Sequence, residues 1–144
     1  MKRVFLDANV LFSAAYRGRA FHVLWDLAAL GEIALLSSAC AIEEARRNLL
    51  LKAEPQAQER LRTLLDYVSE VPDLRPGEAW PRLPTGHVLP RGDYLLLSAA
   101  VAAHAGFFLT SDRNHFGPLY GQKITGVLVQ SPGEFLREEN RRRG

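Results

Sequence analysis

Cysteine is nearly absent from this chain: Cys40 is its only one. That excludes an internal disulfide framework and every multi-cysteine zinc motif, and makes the cytoplasm the default expectation for location. Long apolar runs are missing as well. None approaches the ~20 residues that a membrane helix needs, so no membrane partner is expected. The amino terminus, MKRVFLDANV, passes from a basic pair straight into a strand-like segment that contains an aspartate. It has neither the long apolar stretch nor the small-residue cleavage site of a signal peptide. Net charge is also slight. At +2 it is too small to argue nucleic-acid binding from composition.

What the chain does have is apolar content, 47% of 144 residues. That is ample for one core, so a single domain spanning 1–144 is expected. The basic excess is almost all arginine and gathers at the end, in Arg137, Arg141, Arg142 and Arg143. Arginine suits bidentate contact with phosphate, and a solvated, frayed terminus explains the same cluster equally well.

The order of elements is legible from runs and punctuation. Val4-Phe5-Leu6 is a short, wholly apolar run of the kind found in strands covered on both faces. Gly18 to Gly31 brackets a helical pattern in which Phe21, Leu24, Trp25 and Leu27-Ala28 recur at spacings of three and four. Ile33 to Leu36 reads as a second buried strand. Ser37-Ser38 then offers a cap for a helix through about Lys52. Pro55 opens another helix, to about Asp66, and Tyr67 to Val71 is a third, shorter strand. From 72 to 92, Pro72, Pro76, Pro81, Pro84 and Pro90 forbid a long helix or central strand, and a loop of that length tends to be functional. Asp93 to Ala105 is a helix rich in leucine and alanine, Phe107-Phe108-Leu109 a strand, Ile124 to Val129 a further strand, and Pro132 opens a terminal helix. Strands alternating with helices predict a mostly parallel, doubly wound α/β sheet with helices on both faces.

An apolar strand followed closely by an aspartate occurs twice, as VFLD ending at Asp7 and FFLTSD ending at Asp112. The carboxyl ends of parallel strands lie along one edge of the sheet, where open α/β folds bind ligands. Asp7 and Asp112 are therefore expected in one crevice. Asp93, opening the helix before the second of these strands, can reach the same edge. Each aspartate has a plainer reading as a helix cap. Carboxylates brought together repel one another unless a cation joins them, and hard magnesium or manganese ions prefer oxygen ligands. Two such ions ~3.5–4 Å apart activate a water and stabilise the leaving oxygen of a phosphodiester.

Several segments together resemble the PIN-domain family, in particular its toxin-like members related to the VapC ribonucleases. VFLDANVLFSA is similar to the family's first motif, carried here by Asp7, Asn9 and Ser13, with Ala8 where threonine is more usual. Ser38 followed six residues later by Glu44 matches the second. GDYLLLSAAVAAHAGFFLTSDRNHF resembles the third and fourth, with Asp93 opening the helix and Thr110-Ser111-Asp112 closing the strand; glycine is commoner where Ser111 stands. VLVQSPGEFL is similar to the family's last strand and helix. The resemblance implies a PIN-like three-layer α/β/α fold with a mostly parallel sheet of about five strands. It implies a magnesium- or manganese-dependent ribonuclease acting on single-stranded RNA, often a homodimer with an antitoxin partner. Asp7, Glu44, Asp93 and Asp112 would hold the metal and orient the attacking water, with Asn9 and Thr110 or Ser111 in support. Periodicity does not separate Glu43 from Glu44, because both lie off the Ile42, Ala45, Leu49 stripe; the offset from Ser38 favours Glu44. Arg113 and His115 flank this site and can meet phosphate, or be simply a surface arginine and a loop histidine.

Rivals are set aside by what is missing. A haloacid-dehalogenase-like phosphatase needs a second aspartate where Asn9 stands, and a Rossmann domain needs a glycine-rich turn after its first strand. A non-catalytic PIN-like module that binds RNA or protein would be expected to lose acidic positions, and an RNA-processing PIN nuclease outside any toxin–antitoxin pair would keep them. Cys40 reads as a small buried hydrophobe, and Trp25 or Trp80 as contributors to an interface.

Overall fold

The computed structural model describes residues 1–74 and 81–143. Trp80, with Pro76 and part of the proline-rich loop, lies outside the described residues. The chain runs β1 (Lys2–Leu6), α1 (Ala8–Tyr16), α2 (Arg19–Ala29), β2 (Ile33–Ser38), α3 (Ala39–Leu50), α4 (Pro55–Leu65), β3 (Val68–Val71), α5 (Arg91–Ala102), β4 (Phe107–Leu109), a short 3-10 turn (Gly117–Leu119), β5 (Lys123–Ile124), β6 (Val127–Gln130) and α6 (Pro132–Arg143).

The strands form one sheet in the order β3-β2-β1-β4-β6-β5. Every pairing is parallel except β5 with β6. From β1 the chain moves outward through β2 and β3, then crosses to β4 on the other side of β1 and moves outward again. The order therefore reverses between β1 and β4, and a crevice opens at the carboxyl ends of strands at such a point. The central strands carry apolar runs, Val4 to Leu6 and Ile33 to Leu36, because both faces are covered in this three-layer α/β/α arrangement. Val4, Phe5, Leu6, Phe108 and Leu109 are fully buried. Phe5 stacks on Phe108 at 5.4 Å and Phe108 packs on Phe116 at 4.9 Å. Burying each such side chain stabilises the fold by about 1.5–3 kcal/mol, and together they lock the register that sets Leu6 beside Leu109.

Several expectations are corrected. The sheet has six strands, because the run from Ile124 to Val129 is broken by a hairpin. Thr125 and Gly126 both take positive φ, 50° and 88°, as a two-residue turn of the primed type requires, and Ile124 pairs with Val127 across it. A helix, α1, occupies Ala8–Tyr16, where no helical stripe is visible in the sequence. Ala8, Val10, Leu11, Ala14 and Ala15 are buried, and α1 packs against α2, α3 and α4, so most of its circumference is apolar. Trp25 is a core residue, its indole N–H donating to the Leu64 carbonyl at 2.9 Å. Cys40 is exposed, on the outer side of the first turn of α3. Three of the four terminal arginines are held in ion pairs: Arg137 with Glu134, Arg141 with Glu134 and Glu138, and Arg143 with Glu32.

Candidate active site

Asp7 follows the last residue of β1, and its main-chain N–H donates to the Leu109 carbonyl at 3.0 Å, extending the β1–β4 ladder by one rung. It is also the N-cap of α1, as the plainer reading held. One carboxylate oxygen accepts from the Ala8 N–H at 2.8 Å. The other accepts from the Thr110 hydroxyl at 2.7 Å and from the Asn9 amide at 3.1 Å. Only 3% of Asp7 is exposed. Burial is the main reason its pKa rises from 3.8 to about 6; the Thr110 and Ala8 hydrogen bonds act against this, and the charges of Asp93 and Glu44 add to it.

Thr110 and Asn9 clip the ends of β1 and β4 together. The buried Thr110 hydroxyl donates to Asp7 and accepts from the Asn9 amide and from the Asp112 N–H, each at 3.1 Å. The Asn9 carbonyl oxygen accepts from the Ser111 N–H at 2.8 Å. Thr110 thus makes its contacts here through its side chain and Ser111 through its backbone.

Asp93 is the third residue of α5. The helix starts at Arg91 with Pro90 as N-cap and no side-chain cap, so the cap reading of Asp93 is wrong. The proline fixes the start two residues early, and its carbonyl accepts the N–H of Tyr94 at 2.9 Å. The Asp93 carboxylate points instead to Asp112. Between them stands His115, whose Nδ1 lies 3.0 Å from Asp93 and 2.8 Å from Asp112. Burial raises the Asp93 pKa most; His115 opposes the rise, and Asp112 and Glu44 reinforce it. Asp112 also accepts the His115 N–H at 3.2 Å, a local turn that fixes both side chains.

Glu44 stands on the exposed side of α3, which Ser38 caps by accepting the Ala41 N–H. Its charge acts on both Asp7 and Asp93. Glu43, one residue earlier, turns to Arg46 at 3.1 Å. The structure brings Asp93 and Asp112 within ligand distance of one another, with Asp7 and Glu44 near enough for their charges to act there, and Asn9 and Thr110 beside Asp7. Among the described residues none of the four acids has a lysine or arginine partner. His115 is the member that sequence reasoning undervalued; its signal was the three-residue offset from Asp112 within a turn.

A group of hard oxygen donors with no lysine or arginine partner among the described residues suits a divalent cation. Oxygens of Asp93 and Asp112 and Nδ1 of His115 lie within 4.8 Å of one another, and carboxylate oxygens favour magnesium, calcium or manganese.

In a comparison with curated proteins, none matches the chain. Solved structures do. VapBC2 from Rickettsia felis, crystallised with a DNA fragment from its promoter, aligns at TM-score 0.64 and 18% identity over 90% of this chain and 98% of that one. FitAcB from Neisseria gonorrhoeae aligns at TM-score 0.58 and 16% identity over 90% and 98%. The PIN domain endonuclease Utp24 aligns at TM-score 0.50 and 16% identity over 90% and 85%. At these identities the likeness speaks for the fold. In addition, the family model of the PIN domain matches residues 3–114, a span that holds all four acids. The chain belongs to the PIN-domain family.

Proposed function

We propose that this chain is a magnesium- or manganese-dependent endoribonuclease that hydrolyses phosphodiester bonds of single-stranded RNA, and that it works as the toxin of a toxin–antitoxin pair. The observation that carries the nuclease reading is the acid cluster, with no lysine or arginine partner among the described residues, at the sheet's reversal point. Elsewhere on this surface glutamates find arginines or lysines. Here like charges are held together at a cost in stability, which a polar surface patch does not require.

In this reading the carboxylates of Asp7, Glu44, Asp93 and Asp112 hold the ion, which when bound would polarise an attacking water and offset charge on the leaving oxygen. The chain's own part is positioning. Ala8, Asn9 and Thr110 fix the Asp7 carboxylate by three hydrogen bonds. His115 holds Asp93 and Asp112 in one orientation. The toxin assignment is supported by the fold's likeness to the toxin–antitoxin complexes and brings with it an antitoxin partner, a homodimer and one domain over 1–144. The likeness to Utp24 supports an RNA-processing role as the alternative, and it is the weaker of the two likenesses. Retention of all four acids weighs against a non-catalytic binding module.

The test is manganese-stimulated cleavage of single-stranded RNA by the wild type and by Asp7→Asn. The variant is expected to lose at least about a hundredfold in rate, more than removal of a supporting residue costs, with its fold unchanged by circular dichroism. Equal cleavage by the two would refute the site assignment.

A further inference from the structure

A cleft of about 630 Å³ lies beside the acid cluster, on the β6 side. Its walls include Arg113, Tyr120, Gln130 and Ser131, and α6 contributes the Glu134–Arg137 ion pair at the outer side. Gln130 ends β6 in register with Leu109, and its carbonyl accepts the Thr110 N–H at 3.1 Å. It therefore occupies the same sheet edge as Asp7 and Asp112, one strand further out.

Three features make this cleft more than a surface fold. Gln130 is 5% exposed, and its Oε1 is the one buried side-chain atom among the described residues with no hydrogen-bond partner. An unsatisfied buried acceptor is unfavourable and is retained where something else satisfies it. The terminal torsion of glutamine is soft, so the amide can turn toward a donor in the cleft. The Tyr120 hydroxyl donates to the Thr110 carbonyl at 2.7 Å, so its ring is anchored on the residue that also holds Asp7. Arg113, next in sequence to Asp112, has no ion-pair partner among the described residues, which leaves its guanidinium for phosphate.

We propose that this cleft is a base-reading subsite for the single-stranded RNA substrate. A base with an exocyclic amino group, adenine above all, seats against Tyr120 and donates to Gln130 Oε1, while Arg113 holds its phosphate. Glutamine pairs with adenine in a two-point fashion, accepting from N6 and donating to N7. Unstacked bases of single strands settle on aromatic rings and are read at these edges. The placement beside the acids rests on the nuclease reading above and deepens it, since it assigns a base preference next to the cut. Base selection itself is testable without cleavage.

The full chain in chelator is titrated with adenosine 5′-monophosphate and with inosine 5′-monophosphate, which keeps the purine ring but carries oxygen in place of the amino group. Backbone amide resonances are followed by NMR. The adenine nucleotide is expected to shift Gly121, Leu128 and Ser131 and to bind about tenfold more tightly than the inosine nucleotide. Gln130→Leu removes the unsatisfied acceptor; it is expected to melt no lower than wild type and to bind both nucleotides equally. Arg113→Ala is expected to erase the advantage of adenosine 5′-monophosphate over adenosine. Equal binding of the two nucleotides by the wild-type chain, shifts confined to other surfaces, or selectivity that survives Gln130→Leu would each overturn the subsite. The wild-type comparison stands even if a variant misfolds. Metal-stimulated cleavage without base selectivity would overturn the cleft alone. Selectivity without cleavage would overturn the nuclease reading and leave the base site standing.

Discussion

The acid cluster at the ends of β1 and β4 and the charged helix α6 are built from the same kinds of side chain and resolve their charges in opposite ways. On α6, Glu134 and Glu138 lie within reach of Arg137 and Arg141 at offsets of three or more, and Lys2 and Arg143 tie the helix to the rest of the chain through Glu139 and Glu32. Such exposed pairs each contribute little. The pairs within α6 follow from helical spacing. In the cluster, Asp7, Glu44, Asp93 and Asp112 come from four separate elements, and among the described residues the one basic side chain they meet is His115. Arranging charge so that it repels requires the whole topology of the sheet. The contrast teaches where to look for chemistry: in the like charges that the fold brings together, more than in the density of charge.

The largest expected effect of this contrast is on the stability of the metal-free protein. Asp7 titrates near 6 when folded, against 3.8 ordinarily. A raised carboxyl pKa means the folded chain holds its proton more firmly. Stability from this group is full below about pH 4 and is lost as the pH rises through about 6. Holding Asp7 ionised at neutral pH costs about 3 kcal/mol by this reckoning. Denaturant unfolding in chelator is expected to show a decline of that size between pH 4 and 7, and Asp7→Asn to flatten it. A wild type whose stability rises across the same window would break the comparison.

Next in size is the clip that holds the cluster. Thr110→Val keeps the shape and removes a hydroxyl that serves Asp7, Asn9 and the Asp112 N–H. Metal affinity or cleavage is expected to fall about 10- to 100-fold, and stability by about 1–3 kcal/mol, read by manganese titration and by melting. An unchanged metal affinity would mean that the clip is structural only.

The smallest and sharpest test compares neighbours. Glu44→Gln is expected to lower cleavage by at least about tenfold, whereas Glu43→Gln, whose partner is Arg46, is expected to change it by less than about twofold. Reversed results would move the fourth acid to Glu43.

Much of this was legible beforehand, for reasons that differ by residue. Asp7 and Asp112 follow from a repeated strand-end pattern because parallel strands share one carboxyl edge. The buried strands are visible because both faces are covered and the run is simply apolar. The helix α1 left no such mark, being apolar around most of its circumference. Periodicity could not choose Glu44 over Glu43, since both sit off the buried stripe, and only the six-residue offset from Ser38 favours Glu44. His115 and Gln130 were hidden for another reason. Each is a single polar residue whose meaning depends on a separate element: α5, which brings Asp93 to the one, and β4, paired with β6 beside the other. The hairpin at Thr125-Gly126 was readable from its glycine and was obscured by the apolar residues on both sides.

The central claim is that the four acids form a cation site whose repulsion a divalent ion relieves. Its most direct measurement is the melting temperature with manganese against that in chelator, for the wild type and for Asp93→Asn. An ion at a hundred times its dissociation constant adds about 2.7 kcal/mol, or roughly 5–10 °C for a chain of this size. That rise is expected in the wild type, and in Asp93→Asn a metal-free melt no lower than wild type with most of the rise gone. Equal manganese shifts in both proteins, or a variant that is markedly destabilised in chelator, would contradict it.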